Sequence, residues 1–281
     1  MNKKLAICTP TRDGMFPINY VSASHSILKN PPKNWDVEYT MMRGCSDITN
    51  ARNSIINQWY FETKVDAMMF MDSDIAMYVK DLEKMLSWLD NPEVDFIGAN
   101  YCKKTFNFGN ILQTASLWPK KEINPLDVLS ASSEYVSSGE HKLFDGTKLE
   151  GLCEIDGIGM GAFIITRESA DVLFSWAKNN LTKTKFYTLG KCVEGYGVYN
   201  HISNESGNYG EDFSLCMRIK EAGQRIFTDP DMMISHCGTY DWDANFKHFL
   251  DYMQSKPVYQ SNESDKGLDN VGDNNKEELK K

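Results

Sequence analysis

Short apolar runs alternate with amphipathic stretches over the first hundred residues, and that alternation limits the folds open to the chain more than any other feature. "KLAICTP" (4–10) reads as a buried strand stopped by Pro10, and "TRDGMF" as the loop after it. Residues 17–30 suit a helix that "NPPKN" ends, and "WDVEYTMMRG" suits a second strand. Ser46 and Asp47 are helix-start residues, followed by Ile48, Ala51, Ile55 and Trp59 near helical spacing. "VDAMMFMDSD" is a third strand ending in two acids. In "VKDLEKMLSWLDN", Leu82, Met85, Leu86 and Leu89 share one helical face, and "VDFIGANYCKK" is a fourth strand. Such alternation predicts an α/β fold built on a largely parallel sheet.

The rhythm fails over 105–150, a polar stretch expected to be a surface excursion, and returns in "CEIDGIGMGAFIITRESADVLFSWA" as strand then helix. Residues 179–208 read as loops. "GEDFSLCMRIKEAGQRIFTDPDMMISHCG" gives a helix stopped at Gly223, a short strand, and another strand ending at His236. From residue 255 the chain is polar and expected to be disordered. The division is therefore one domain over 1–254 and a tail over 255–281. A net charge of −9 argues against broad polyanion binding, though not against a local basic groove. Seven scattered cysteines without a C-x-x-C suggest reduced thiols. The apolar stretch Leu5 to Thr9 is too short for a signal peptide, and no window suits a membrane span. Together these suggest a cytoplasmic protein, whether cellular or encoded by a virus and working in the host cytoplasm.

The acidic pair is the sharpest motif. In a strand, residues two apart point to one side, so Asp72 and Asp74 are expected to converge while Ser73 faces away. Carboxylates at the carboxyl edge of a parallel strand sit where open α/β sheets bind ligands. Like charges repel unless they share a cation or proton, and hard oxygen ligands suit Mg²⁺ or Mn²⁺. A lone D-x-D is more often a solvated turn than a metal site. An EF-hand loop from Asp72 to Glu83 fails, because Ala76 and Met77 stand where a ligand and a glycine are required. "DGIGMGAFII" (156–165) lacks the third glycine and the following helix of a phosphate loop. Its Gly157, Gly159 and Gly161 allow either close approach to a ligand or a bulged strand. Glu211 and Asp212 fall in the first turn of a helix, where acids are favoured by the dipole and where a general base is also possible. His236 at a strand end becomes a ligand candidate only if it meets the aspartates in space.

Taken in order, "ICTPTRDG", "TNARN", "MFMDSDIA", "FIGANYCKK", "DGIGMGAFIITRE", "YGEDFSLCMRIKEAG" and "DPDMMISHCG" resemble glycosyltransferases of the A-type fold (GT-A), most closely the family 2 type, over roughly residues 3–240. The resemblance implies a mainly parallel central sheet flanked by helices, a Rossmann-like nucleotide-binding half and a small antiparallel acceptor-side part. It implies that Thr9, Pro10, Thr11 and Arg12 line a nucleotide pocket with help from Arg52 and Asn53. Asp72 would lie near the ribose and metal, Asp74 would bind Mn²⁺ or Mg²⁺, and His236 would be a further metal ligand. Asp212, paired with Glu211, would be the catalytic base of an inverting transfer. Asp156, Gly157 and Gly159 would wall the acceptor side. Lys103 and Lys104 are placed to touch phosphate or, equally, to be ordinary surface lysines. The implied donor is a nucleotide-diphospho sugar, UDP- or GDP-linked. The acceptor is a hydroxyl of a glycan or, less favoured given the acidic chain, a modified DNA base. The alternatives are a nucleotidyltransferase, against which the single glycine of "TPTRDG" counts, and a non-catalytic nucleotide-sugar or metal-binding module.

Overall fold

In a computed structural model of the chain, describing residues 2–117, 125–188, 191–238 and 242–255, opposite faces share the strand Lys3–Thr11 residue by residue. Leu5 and Ile7 join one hydrophobic cluster with Tyr20, Ile27, Leu82 and Met85, while Ala6 and Cys8 join another with Ile55, Trp59, Leu173 and Leu215. The neighbouring strand Ala67–Met71 divides likewise, Met69 and Met71 to the first cluster and Met68 and Phe70 to the second. A strand apolar at every position is one covered on both faces. The helices Ile18–Lys29 and Val79–Trp88 cover one side, and Ile48–Glu62, Arg167–Asn180 and Glu211–Glu221 the other.

The helix ends follow local chemistry. Asp47 accepts from the amides of Thr49 and Asn50 at the start of Ile48–Glu62, and Thr166 caps Arg167–Asn180 through Ser169 N. Gly223, at φ +80°, takes the left-handed conformation that terminates Glu211–Glu221. Among the described residues no helix is long and apolar enough to cross a membrane.

The eight-stranded sheet runs Trp35–Arg43, Lys3–Thr11, Ala67–Met71, Ala162–Thr166, Phe96–Gly98, Ile226–Thr228, Cys153–Ile155, Lys142–Leu143. It is mixed and not mainly parallel. Lys3–Thr11 pairs parallel with both its neighbours, and Phe96–Gly98 with Ile226–Thr228, but Ala162–Thr166 lies antiparallel between Ala67–Met71 and Phe96–Gly98. The reason is the connection. Phe96–Gly98 is joined to Ala162–Thr166 not by one crossover helix but by residues 99–161, which lay down Lys142–Leu143 and Cys153–Ile155 at the far side of the same sheet, so nothing holds the returning strand to the parallel direction. The carboxyl ends of Lys3–Thr11, Ala67–Met71 and Phe96–Gly98 and the start of Ala162–Thr166 therefore share one edge.

A small antiparallel sheet stands beside that edge, ordered Trp242–Asn245, Met233–His236, Ile75–Met77. Residues 179–208, read as loops, instead form the hairpins Lys183–Thr188 with Lys191–Tyr196 and Ile202–Asn204 with Gly207–Tyr209. The first buries Phe186, Val193 and Gly195, of which only two carry an apolar side chain, too little to give a period-2 hydrophobic signal in the sequence. The segment 105–150 is not a plain surface excursion. It holds the helices Phe108–Leu117 and Pro125–Ser132 and buries Ala131, Tyr135 and Leu149. Tyr135 packs on Phe246 and Phe249 of the helix Phe246–Ser255. The proposed tail lies outside the described residues, apart from its first position, which ends that helix.

Candidate active site

The acidic motif sits where the chain leaves one sheet for the other. The main-sheet strand stops at Met71, Asp72 N donates to Gly161 O at 2.9 Å, and a turn closes through Ile75 N to Asp72 O at 3.0 Å. With the strand ended, its two-residue period no longer applies. Asp72 and Asp74 do not converge as expected but take different partners.

Asp72 faces Arg52, whose side chain is 3% exposed. Arg52 Nη2 lies 3.1 Å from Asp72 Oδ2 and 3.5 Å from Asp212 Oδ1, and its Nε is 3.8 Å from Glu211. Its guanidinium carbon stands over the Phe70 ring, 5.4 Å from the centroid. One cation thus joins the end of the sheet to the first turn of the helix Glu211–Glu221. Burial would lower the Arg52 pKa, but Asp72 and Asp212 outweigh it and raise it, so the guanidinium is charged. Burial pushes the Asp212 carboxyl up, against the pull of Arg52 and with a further push from Glu211. Asp72 is raised in the same way by burial, opposed by Arg52 and reinforced by Asp212 and Asp74. Asp72 Oδ1 is buried without a hydrogen-bond partner, whereas Asp212 Oδ1 is buried facing Arg52 at ion-pair distance.

Asp74 belongs to the second group. Its Oδ2 lies 3.4 Å from His236 Nε2 and 2.6 Å from Lys104 Nζ. The register of the small sheet, His236 opposite Ile75, brings a residue 162 positions away alongside. Burial alone would raise the Asp74 carboxyl; the hydrogen bonds and charges of His236 and Lys104 outweigh it and bring it down to about 2. His236 Nδ1 is 2.8 Å from Cys102 O, which can only accept, so Nδ1 carries the proton and donates. That bond aims Nε2 at Asp74, the arrangement by which proteins orient a metal-binding imidazole. Asp74 and His236 therefore fit a hard or borderline divalent ion as a pair of donors. Asp72 does not complete a set, and among the described residues no three His, Cys, Asp or Glu side chains gather that could hold a metal.

The other expected site residues are placed as follows. Thr9 is buried and its hydroxyl shares a 2.7 Å hydrogen bond with Tyr20, while Pro10 beside it is buried too. Thr11 Oγ1 accepts from Gly14 N at 3.0 Å, and Arg12 is exposed on the turn that follows. Asn53 is fully buried and serves the loop 199–200: Oδ1 accepts from the Tyr199 backbone N and Nδ2 donates to the Asn200 side-chain Oδ1, both at 2.9 Å. Asp156 forms an exposed ion pair with Lys220. Gly157 and Gly159 are buried and give close approach to protein, not open space. A Cβ at Gly157 would meet Phe213 at 2.6 Å, and one at Gly159 would meet Tyr101 Oη at 2.5 Å. Lys103 pairs at the surface with Glu134.

Two residues at this edge carried no signal of their own in the sequence. Tyr101, buried, packs edge-on to His236 with centroids 5.1 Å apart and accepts from Gly161 N at 3.1 Å. His201, exposed, lies 3.1 Å from Thr49 Oγ1 and 3.9 Å from Glu211. Tyr101 lies inside the stretch "FIGANYCKK" without being singled out by it, and His201 lies in none of the quoted motifs; the folded geometry brings both here.

The molecule is thus an α/β protein with a charged site at the carboxyl edge of a mixed sheet. Its structure is similar to A197 from STIV, at 14% identity and a TM-score of 0.45, over 83% of this chain and 85% of that one. It is also similar to GalNAc-T7 in a crystal structure with UDP, GalNAc and Mn2+, at 11% identity and a TM-score of 0.46, over 89% of this chain; the match spans 47% of that chain, about half its length. No protein-family model matches the chain, and no curated protein matches it.

Proposed function

We propose that the protein is a glycosyltransferase that moves a sugar from a nucleotide-diphospho sugar to an acceptor hydroxyl with inversion, Asp212 acting as base. The observation that carries this reading is the meeting of Asp74 and His236 at 3.4 Å, next in the chain to an Asp72 that shares Arg52 with Asp212. Residues from four separated motifs converge at the sheet edge where α/β folds bind ligands. The end of the strand Lys3–Thr11 and Arg12 form the nucleotide side. Arg52, buried between Asp72, Asp212 and Glu211, holds Asp72 and Asp212 in place and does not itself contact the nucleotide. Asp74 and His236 would hold Mn²⁺ or Mg²⁺, whose chemistry when bound is Lewis-acid stabilisation of the departing diphosphate.

The chain's own residues do the rest. The acceptor oxygen attacks the anomeric carbon, the bond from that carbon to the diphosphate oxygen breaks, and the hydroxyl proton passes to Asp212. A carboxylate whose proton affinity burial has raised is a stronger base than one in water. Glu211 supports that role by its charge. Incubating the protein with Mn²⁺ and a panel of nucleotide sugars, with and without glycan acceptors, tests the reading. Release of nucleoside diphosphate is expected. Pyrophosphate from a nucleoside triphosphate and sugar phosphate would instead mark a nucleotidyltransferase, and binding without turnover a non-catalytic module.

A further inference from the structure

Lys104 contacts the Asp74 oxygen that faces the imidazole in the proposed cation pair. Its Nζ is 2.6 Å from Asp74 Oδ2, the same oxygen that His236 Nε2 approaches at 3.4 Å. The strand Cys102–Phe106 supplies both this ammonium and the Cys102 carbonyl that orients His236. One strand therefore sets the imidazole and also places a positive charge beside it. An ammonium and a divalent ion cannot both sit on one carboxylate oxygen without strong repulsion. At 34% side-chain exposure, on a flexible four-carbon stem, Lys104 has room to withdraw.

We propose that Lys104 is an intrinsic competitor for the cation: it neutralises Asp74 and keeps the Asp74–His236 pair together in the metal-free protein, and it is displaced when the divalent ion binds. This inference rests on the reading of Asp74 and His236 as a cation site. It makes Lys104 a positioning residue whose removal tightens metal binding, the opposite of what loss of a ligand would do. Lys103, next to it, is paired with Glu134 at 3.4 Å and does not touch Asp74.

Mn²⁺ titration of the intact chain, followed by the electron paramagnetic resonance signal of free aqueous Mn²⁺, tests this without any sugar donor. Lys104→Met is expected to bind Mn²⁺ about two- to five-fold more tightly than the unaltered protein, the range set by an ion pair at this exposure. Lys104→Arg keeps the competing charge and is expected to stay near the unaltered affinity, as is Lys103→Met. Unchanged or weaker Mn²⁺ binding in Lys104→Met, alongside binding that Asp74→Asn abolishes, would overturn the competitor role and leave the cation site standing. Binding that Asp74→Asn leaves intact would overturn both.

Discussion

Replacing Arg52 by methionine removes a guanidinium that faces three carboxylates and leaves Asp72 and Asp212 charged with no counter-ion. Stripping one partner from a buried pair costs about 3–5 kcal/mol, so Arg52→Met is expected to lower the urea midpoint sharply, and Arg52→Lys to recover only part of the loss. Asp212→Asn is a different experiment. It keeps the shape and removes the proposed base, and transfer is expected to fall about 10²–10⁴-fold while Mn²⁺ binding holds, measured as nucleoside diphosphate released against an intact metal titration. The pH profile belongs to the same residue. As the proposed base, Asp212 would work only when ionised, so kcat/KM should climb with pH and level off above its folded pKa. Because burial raises that pKa, the bend is expected above the ordinary value of about 3.9 and absent in Asp212→Asn. For stability the sign reverses. The folded chain holds the Asp212 proton at pH values where the unfolded chain has lost it, so this residue's contribution improves as pH falls through the raised value. The carboxylates, Arg52 and His236 were all visible in the sequence as chemistry. Which of them pair was not, because the strand's period predicts partners only as far as Met71, where the strand stops.

At the scale of elements, the close-packed segment 157–161 decides how near Tyr101 can come to His236. A Cβ at Gly159 would stand 2.5 Å from Tyr101 Oη and 2.7 Å from Val136 Cγ1, and one at Gly161 2.7 Å from the Tyr101 ring. Gly159→Ala is therefore expected to destabilise by about 1–3 kcal/mol, seen as a lowered Tm, and to displace Tyr101 from His236. Element type was legible wherever burial was deep: the helices Ile48–Glu62 and Val79–Trp88 follow their predicted spacing, and Asp47 starts the first as expected. Strand direction was not, since alternation looks the same read either way along the chain. Ala162–Thr166 has five apolar or small residues in a row and nothing in them that says which neighbour it opposes. The hairpins of 183–209 were hidden for the converse reason, since most of their side chains face solvent.

For the whole molecule, the two-sided burial of the main sheet can be checked through its thiols. None of the seven cysteines is in a disulfide; Cys192 is exposed, Cys45 is partly so, and Cys8, Cys102, Cys153, Cys216 and Cys237 are buried. Burial pushes the thiols of Cys8, Cys153 and Cys216 up to about 12 and that of Cys102 to about 11. An aromatic disulfide reagent is expected to label Cys192 and Cys45 in the native protein and the other five only after denaturant is added. Rapid native labelling of more than two would contradict the layered arrangement.

One turn of the chain also divides the acidic motif between two bodies. Asp72 is moored to the large sheet through Gly161 and Arg52, whereas Asp74 leads into Ile75–Met77 and moves with the small sheet that bears His236. Sliding of one sheet along the other would change the gap between the two aspartates while each kept its own neighbour. That gap is therefore fixed by how the two sheets seat against each other, and not by the three residues of the motif alone.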